Sequence, residues 1–256
     1  MIDWVGQVVL VTGAASGIGR ALADALTLRG ARVVGADIAD AGGDALHADL
    51  ARPEAAGQAV AAVIARHGRI DAVFANAGIG YNRRLLKADL DDPRLDALWE
   101  INMLSATRLA KPLEAAARAQ GSRARIVITG SENSLSLPDS IREFGNGLYA
   151  ASKHGVLILA EWLASECRTG NRPLDVHVLL PGGVYTGLTA GGLGPDPAGW
   201  PADMGVIMPD RAAEIALRGL DLGLFYIPTH AHLIVDMRAR FDGMTEATRA
   251  LGLGQG

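Results

Sequence analysis

The chain has 256 residues, of which 49% are hydrophobic and 20% charged, and its formal net charge is -4. This balance is typical of a globular protein and gives no electrostatic footprint for nucleic acid or an anionic membrane. The single cysteine, Cys167, excludes an internal disulfide and a thiolate metal cluster, and it favours a reducing cytoplasm. No apolar run approaches the ~20 residues of a membrane helix, and the first residues lack the basic start of a signal peptide. We therefore expect a cytoplasmic protein that does not enter the membrane.

Apolar, β-branched stretches recur along the chain near residues 7–12, 31–36, 70–75, 124–129, 174–180 and 224–227. Between most of them lie Ala/Leu-rich segments with helical spacing, at roughly 18–29, 53–67, 93–119, 149–168 and 209–221. Strands that alternate with helices predict βαβ units and a parallel sheet with helices on both faces. No linker, repeat or low-complexity tract divides the chain, so residues 1–256 are predicted to form one domain.

The first strand leads into a glycine-rich turn that runs from Thr12 to Gly19, and helix-forming residues follow directly. Glycine permits a sharp turn and lets the backbone approach a ligand closely. The free N–H groups at a helix start, together with the positive end of the helix dipole, attract phosphates. This first turn is therefore predicted to hold the diphosphate of a dinucleotide.

An acidic residue, Asp37, ends the second predicted strand. A carboxylate there can accept hydrogen bonds from the adenosine ribose hydroxyls and would repel a 2′-phosphate. Its neighbour Ile38 and the loop residues Ala14 and Ala15 are neutral, so the segment favours NAD over NADP; the alternative is a solvated strand-end Asp. Asp49 and Leu50, after a short apolar stretch at 45–48, flank the adenine or, alternatively, cap the next helix.

The strand near 70–75 ends in small residues, Asn76, Ala77 and Gly78, which suit a crevice where a ligand lies against the backbone. Asn76 could also satisfy the backbone groups of a turn. Farther along, Asn102 sits inside a segment with helical apolar spacing. Because asparagine is unfavourable inside a helix, we expect a compensating interaction there.

Tyr149 and Lys153 fall four residues apart in a predicted helix, which places both side chains on one helix face. A phenol normally titrates near pH 10, and a nearby ammonium favours the phenolate. The pair is therefore suited to general acid–base chemistry. The alternative is an ordinary amphipathic surface.

The segment 187–208 is rich in glycine and proline and is too long for a typical connection between a strand and a helix. We interpret it as a mobile lid over the substrate; a flexible surface loop is the alternative. The six histidines show no metal-ligand spacing, so no metal site is predicted.

Six sequence features follow one another along the chain. In order, they are Thr-Gly-x-x-x-Gly-Ile-Gly at 12–19, Asn-Ala-Gly at 76–78, Asn102, a strand-end Ser131, Tyr-x-x-x-Lys at 149–153 and Pro-Gly at 181–182. With this combination the chain resembles the single-domain branch of the short-chain dehydrogenase/reductase family over nearly its whole length. The resemblance implies a Rossmann-type fold, a doubly wound parallel sheet in a three-layer α/β/α sandwich, with the active site at the carboxyl ends of the strands.

The resemblance also implies residue roles. Tyr149 is the general base in alcohol oxidation and the acid in carbonyl reduction, and Lys153 holds the nicotinamide ribose and tunes Tyr149. Ser131 hydrogen-bonds the reacting oxygen, with Ser134 and Ser136 as less favoured rivals, and Asn102 supports a water in a proton relay. The residues expected to contact NAD are Gly13, Ser16, Gly17, Ile18, Gly19, Asp37, Ile38, Asp49, Leu50, Asn76, Ala77, Gly78, Tyr149, Lys153, Pro181, Gly182, Val184 and Thr186.

The expected activity is the NAD(H)-dependent interconversion of a secondary alcohol and a ketone. The predicted substrate pocket is mostly apolar, which favours a lipophilic or aromatic small-molecule substrate, and consists of Asn133, Leu135, Phe144, Tyr185, Leu188, Trp200 and Met204. The stretch between Ser131 and Tyr149 is longer than is common in the family, so its insertion at 132–143 should reshape one pocket wall. The alternatives are a catalytically silent dinucleotide-binding sensor or scaffold, and an NADP-preferring carbonyl reductase. The family further implies a homotetramer or homodimer that uses the helices near 93–119 and 149–168.

Overall fold

The structure is a computed structural model that describes residues 1–138, 142 and 145–253, without the side chain of Asp203. Its strands are β1 (Val8–Thr12), β2 (Arg32–Asp37), β3 (Leu46–His47), β4 (Ala72–Ala75), β5 (Ala124–Thr129), β6 (Leu174–Leu180) and β7 (Tyr226–Pro228). The helices are α1 (Gly17–Leu28), α2 (Ala55–His67), α3 (Arg94–Trp99), α4 (Ser105–Gln120), α5 (Gly147–Thr169), α6 (Ala190–Leu193), α7 (Pro209–Asp221) and α8 (His232–Ala250). The prediction of a parallel α/β sheet is confirmed.

All seven strands form one parallel sheet in the order β3-β2-β1-β4-β5-β6-β7. Strand β1 pairs with β2 on one side and with β4 on the other, so the chain reverses direction across the sheet between β1 and β4. Ligands of such sheets bind in the crevice outside the carboxyl ends of the strands at this reversal. The topology therefore places the predicted glycine turn, which follows β1, at the expected binding edge.

Alternation along β1 shows how both sheet faces become buried. Val8 and Leu10 pack into a core cluster that includes residues of α2, α4 and α5. Val9 and Val11 point the other way, into a cluster with residues of α1 and α7. Because side chains of a strand alternate between faces, one apolar run supplies both cores. The result is the predicted three-layer sandwich.

Two local features differ from the sequence-based expectations. Strand β3 has only two residues, which the sequence shows only as a short apolar stretch. The single helix predicted over 93–119 is divided into α3 and α4 by a π-helical turn, Glu100–Leu104. Helix α8 extends for 19 residues beyond the last strand. None of the helices in the described ranges is long and apolar enough to cross a membrane.

Candidate active site

A cavity of about 590 Å³ lies over the carboxyl ends of the central strands. Its wall collects residues that directly follow β1, β2, β4, β5 and β6, together with side chains of α5 and of the segment after β6. All of the residues expected to contact NAD line it except Gly19, which lies buried behind the glycine turn. In the described part of the chain, no group of three or more potential ligand side chains could hold a metal ion.

The glycine turn has the backbone geometry of a phosphate cradle. Gly13 and Gly17 have positive φ angles of 68° and 54°, a conformation that glycine adopts without steric cost. Helix α1 begins directly after Ser16, whose side chain makes no capping hydrogen bond. The first N–H groups of α1 are therefore open to a ligand, and no acidic side chain in the first turn opposes an anion. These residues fit a dinucleotide diphosphate.

Gly19 is required for close packing behind this cradle. A Cβ atom at position 19 would lie 2.6 Å from Asn76 Nδ2 and closer still to the carbonyl oxygen of Gly13. Both neighbours belong to the cradle or its support, so neither can move away without deforming it.

We therefore expect Gly19→Ala to lower the free energy of unfolding by about 1–3 kcal/mol, the usual cost of overpacking. The matched control is Gly57→Ala in α2, where an added Cβ meets nothing within 4 Å. That substitution should stabilise the helix by about 0.5–1 kcal/mol. Urea unfolding of the three proteins measures both effects. Equal stabilities for Gly19→Ala and the unmodified protein would contradict the packing argument.

The Asp37 carboxylate holds the glycine turn and the end of β2 together. Oδ2 accepts a hydrogen bond from the N–H of Ala15 at 3.0 Å, and Oδ1 accepts one from Ala39, also at 3.0 Å. The side chain lines the cavity near Asp49, whose Oδ1 accepts from the N–H of Ala51 at 3.0 Å. Asp49 thus caps a local turn and lines the cavity, whereas Glu54 holds the cap position of α2, so the alternative that Asp49 caps the next helix is wrong.

Asn76 links the ends of three neighbouring strands. Its N–H donates to Thr12 Oγ1 at 3.0 Å and its Nδ2 to the Thr12 carbonyl at 3.2 Å, while its Oδ1 accepts from Thr129 Oγ1 at 3.3 Å. The N–H of Ala77 also donates to Thr12 Oγ1, at 3.1 Å. Asn76 therefore satisfies turn backbone groups, one of its two predicted roles, and it holds the small residues against the cavity.

The interaction that compensates for an asparagine inside a helix is a set of hydrogen bonds from the Asn102 side chain, two of which hold the loop after β4. Its Oδ1 accepts from the N–H of Ile79 at 2.8 Å, and its Nδ2 donates to the Ile79 carbonyl at 2.9 Å and to Ser152 Oγ at 3.1 Å. Asn102 is buried within the π-helical turn. Such turns often occur at functional sites because they redirect one side chain. Its role in a proton relay stays a prediction.

Ser131 and Tyr149 meet at the floor of the cavity. Ser131 directly follows Gly130 at the end of β5, and its Oγ accepts hydrogen bonds from the N–H of Asn133 at 3.2 Å and from Asn133 Nδ2 at 3.3 Å. The Ser131 side chain also hydrogen-bonds the half-buried Tyr149. Of its rivals, Ser134 accepts a hydrogen bond from the N–H of Ser131 at 3.0 Å, and neither Ser134 nor Ser136 is among the described residues that line the cavity.

Burial raises the pKa of Tyr149 to about 12, and the nearby charge of Glu132 acts in the same direction, although the hydrogen bond to Ser131 opposes the rise. Removal of the phenolate from water is the main cause of the rise. Lys153 Nζ lies 5.9 Å from the Tyr149 ring centroid, and its tuning of Tyr149 stays a prediction. Tyr149 is thus a protonated phenol, ready to act as an acid.

Lys153 is buried, with 4% of its surface exposed, and its Nζ donates a hydrogen bond to the Thr129 carbonyl at 2.9 Å. Burial lowers its pKa to about 8 because the ammonium is the form that loses hydration. A buried cation that has no carboxylate partner among the described residues is costly for folding, which favours a functional role.

This pKa predicts a specific pH dependence of stability. Below pH 8 the folded and unfolded chains both protonate Lys153, whereas between pH 8 and 10.5 only the unfolded chain does. The free energy of unfolding therefore rises with pH in this window, by about 2 kcal/mol from pH 8 to 9.5. The measurement is urea unfolding of the unmodified protein and Lys153→Met across this range, with the exposed Lys111→Met as control. The rise should be missing only in Lys153→Met, and a rise of equal size in all three would contradict the assignment.

The structure distributes the predicted substrate-pocket residues over three places. Asn133, Leu188 and Met204 line the cavity. Tyr185 and Trp200 do not line it, because their rings stack on each other with centroids 4.8 Å apart and pack against a small cluster beside it. Leu135 packs against the main core instead, and Phe144 lies outside the described residues.

The segment predicted as a lid contains ordered turns beside the glycine cradle. Thr189 Oγ1 donates to the Val184 carbonyl at 2.6 Å and accepts from the N–H of Thr186 at 2.9 Å. The methyl group of Thr186 would lie 3.1 Å from a Cβ at Gly17, so the segment abuts the cradle directly. Closure over a substrate stays a prediction.

One cavity residue that sequence reasoning did not single out is Glu132, which lies next to Ser131 and is buried. Its Oε2 accepts a hydrogen bond from Nε2 of His232 at 2.8 Å. Glu132 could have been recognised from the sequence, because a charged residue there directly follows a predicted catalytic serine. Its partner His232 lies 100 positions away, and nothing in the sequence indicates the pairing.

Residues 7–192 match the family described as short chain dehydrogenase. The chain is similar to the 3-oxoacyl-(acyl-carrier-protein) reductase FabG of Escherichia coli, with 30% identity over 199 residues that cover 73% of this chain and 78% of FabG. It is also similar to the 1-deoxy-11-beta-hydroxypentalenate dehydrogenase of Streptomyces avermitilis, with 32% identity over 238 residues that cover 87% and 84% of the two chains. A short chain dehydrogenase/reductase from Burkholderia phymatum, solved in complex with NAD, shares the fold with a TM-score of 0.81 at 22% identity and covers 100% of this chain and 98% of its own.

Proposed function

The chain belongs to the short-chain dehydrogenase family, and from that premise we propose that it interconverts a secondary alcohol and a ketone with NAD(H). The observation that carries the proposal is the meeting of Ser131, Tyr149 and Lys153 at the floor of the cavity whose far end holds the glycine cradle and Asp37. A silent binding protein would have no use for a buried Lys153 that lies beside a phenol and has no carboxylate partner among the described residues.

The choice of NAD rests on the charge around the adenosine end of the cavity. Asp37 lines this end, and Lys153, at the opposite end, is the one Lys or Arg among the described lining residues. A 2′-phosphate placed near Asp37 would meet a negative charge and no basic side chain. The glycine turn would hold the diphosphate, and NAD, when bound, would supply or accept the hydride.

Three side chains take part in the proposed proton transfer to and from the reacting oxygen. Ser131 Oγ accepts two hydrogen bonds from Asn133, so its own hydrogen is available as a donor: it serves the Tyr149 oxygen in this structure and would serve the reacting oxygen when a substrate is bound. Tyr149 holds a proton at its hydroxyl oxygen and would give it to a carbonyl oxygen in reduction or recover it from an alcohol in oxidation. The Lys153 ammonium stabilises negative charge on the Tyr149 oxygen at the moment of transfer.

The substrate body is proposed to be lipophilic. Apolar side chains line the cavity from several directions, namely Ile79, Ile101, Val184, Leu188, Leu193 and Met204. They would exclude water from the reacting carbon and favour an aliphatic or aromatic ring over a highly charged metabolite.

A panel of secondary alcohols and ketones, followed by the absorbance of NADH, tests the proposal. Turnover of at least one cyclic or aromatic alcohol with NAD is the expected result. NAD binding by calorimetry without turnover of any member of a broad panel would favour the silent sensor or scaffold instead.

We further propose that the chain forms a homodimer or homotetramer through helices α4 and α5. Two large apolar side chains of α5 lie on the surface: Ile158 is 50% exposed and Trp162 is 63% exposed. We expect Trp162→Glu to shift the protein toward the monomer in sedimentation velocity because a charge would be buried in the pairing face. Leu28→Glu, on the exposed end of α1, is the control and should keep the oligomer.

A further inference from the structure

Glu132 is a carboxylate at the reaction site that the proposed mechanism does not use. It directly follows Ser131, lines the cavity and has only 6% of its surface exposed. Burial of a carboxylate costs free energy unless the charge is paired and hydrogen-bonded. A buried carboxylate that lines the cavity therefore suggests a function in the site.

One oxygen of Glu132 is fixed by the protein. Oε2 accepts the hydrogen bond from Nε2 of His232, the first residue of α8, and a Cβ at Gly182 would lie 3.2 Å from the same oxygen. The main-chain N–H of Glu132 donates to the Pro181 carbonyl at 2.7 Å. The carboxylate is thus held between the loop after β6 and the start of α8.

The other oxygen, Oε1, has no hydrogen-bond donor among the described residues. Because Glu132 lines the cavity, this oxygen is the one available to a ligand. Next to it, Asn133 is 4% exposed, and its Oδ1 has no donor in the described part of the chain either. Two hydrogen-bond acceptors in the residues that follow Ser131, Glu132 Oε1 and Asn133 Oδ1, therefore have no donor among the described residues.

We infer that the open oxygen of Glu132 accepts a hydrogen bond from a second hydroxyl group of the substrate, next to the hydroxyl that is oxidised. The inference rests on the proposed function and makes the substrate a vicinal diol, or the corresponding hydroxyketone, on a lipophilic ring. Glu132 is the chain neighbour of Ser131, and both line the cavity together with Tyr149, which places the carboxylate beside the catalytic groups.

The apolar and polar walls agree with a substrate of this class. Leu188 and Met204 line the cavity together with Glu132, so a ring can contact the first two while one edge faces the carboxylate. A site with a buried acceptor discriminates strongly against an analogue that lacks the donor, because the acceptor is then left unpaired.

The test compares cyclohexanol with vicinal cyclohexanediol, a pair that differs by one hydroxyl, in the unmodified protein and in Glu132→Gln. The unmodified protein should prefer the diol at least tenfold in kcat/KM. In Glu132→Gln the amide oxygen can take the His232 bond, which turns an N–H group toward the substrate where an acceptor stood. The preference should therefore fall at least tenfold, mainly through a higher KM for the diol.

Two further variants separate binding from structural effects. Asp236→Asn in α8 removes a charge that acts on Glu132 but does not line the cavity, so the preference should not change. His232→Leu releases the carboxylate while leaving it in the cavity, and it should raise the KM for the diol even if Glu132→Gln folds poorly.

The outcomes distinguish this inference from the proposed function. If the unmodified protein oxidises both alcohols equally well, or Glu132→Gln loses both to the same extent, the role of Glu132 is wrong and the dehydrogenase activity stands. If neither alcohol nor any ketone of the broad panel is turned over, the proposed function fails and the role of Glu132 fails with it.

Discussion

Replacement of Tyr149 by phenylalanine is expected to lower kcat/KM in both reaction directions by about 10²–10⁴-fold, the usual contribution of a general acid–base group. The substitution removes only the hydroxyl that carries the transferred proton. The ring, which sits below the cavity and within 5.9 Å of Lys153 Nζ, keeps its packing. The melting temperature and the affinity for NAD should therefore stay close to those of the unmodified protein.

Tyr226→Phe provides a matched control for this prediction. Tyr226 donates a hydrogen bond to Glu161 Oε1 at 2.6 Å, and this bond contributes most to raising its pKa to about 12. The two tyrosines thus share a similarly raised pKa, but Tyr226 does not line the cavity. The control should retain full activity. Full activity in Tyr149→Phe would instead show that another group transfers the proton.

The sequence predicts those parts of the site that follow directly from strand ends. Parallel strands place their carboxyl ends at one edge of the sheet, so the three separate motifs that contain Asp37, Asn76 and Ser131 are expected to meet there. Tyr149 and Lys153 are joined in the same way by the period of one helix. These inferences need only local spacing and one topological rule.

The parts that the sequence does not predict depend on contacts between distant segments. Tyr185 and Trp200 stack on each other beside the cavity, although both are predicted to be pocket residues. The pairing of Glu132 with His232 joins the loop after β5 to a helix beyond β7. The raised pKa of Tyr149 likewise follows mainly from burial, which spacing along the chain does not reveal. Tertiary packing decides each of these outcomes.

The second large effect is expected at the opposite end of the cavity. Asp37→Ala should lower kcat/KM with NAD by about 10–100-fold, which corresponds to the loss of hydrogen bonds to a charged acceptor worth about 1.5–3 kcal/mol. The same change should raise kcat/KM with NADP because it removes the negative charge that would face a 2′-phosphate. In the double variant Asp37→Ala with Ile38→Arg, a guanidinium would pair with that phosphate and reverse the preference.

Asp37 also accepts hydrogen bonds from the N–H groups of Ala15 and Ala39. A loss of activity with NAD, taken by itself, would therefore also result from a disordered glycine turn. Asp37→Asn separates the two effects, because the amide keeps one acceptor oxygen for these bonds but carries no charge. If repulsion sets the choice of cofactor, this variant gains activity with NADP while its melting temperature remains unchanged. Asp49→Asn, which lines the same end of the cavity, is the position control and should change the ratio of the two cofactors little. Preference of the unmodified protein for NADP would contradict the assignment, since Asp37 would then have to bind its cofactor against the charge of the phosphate.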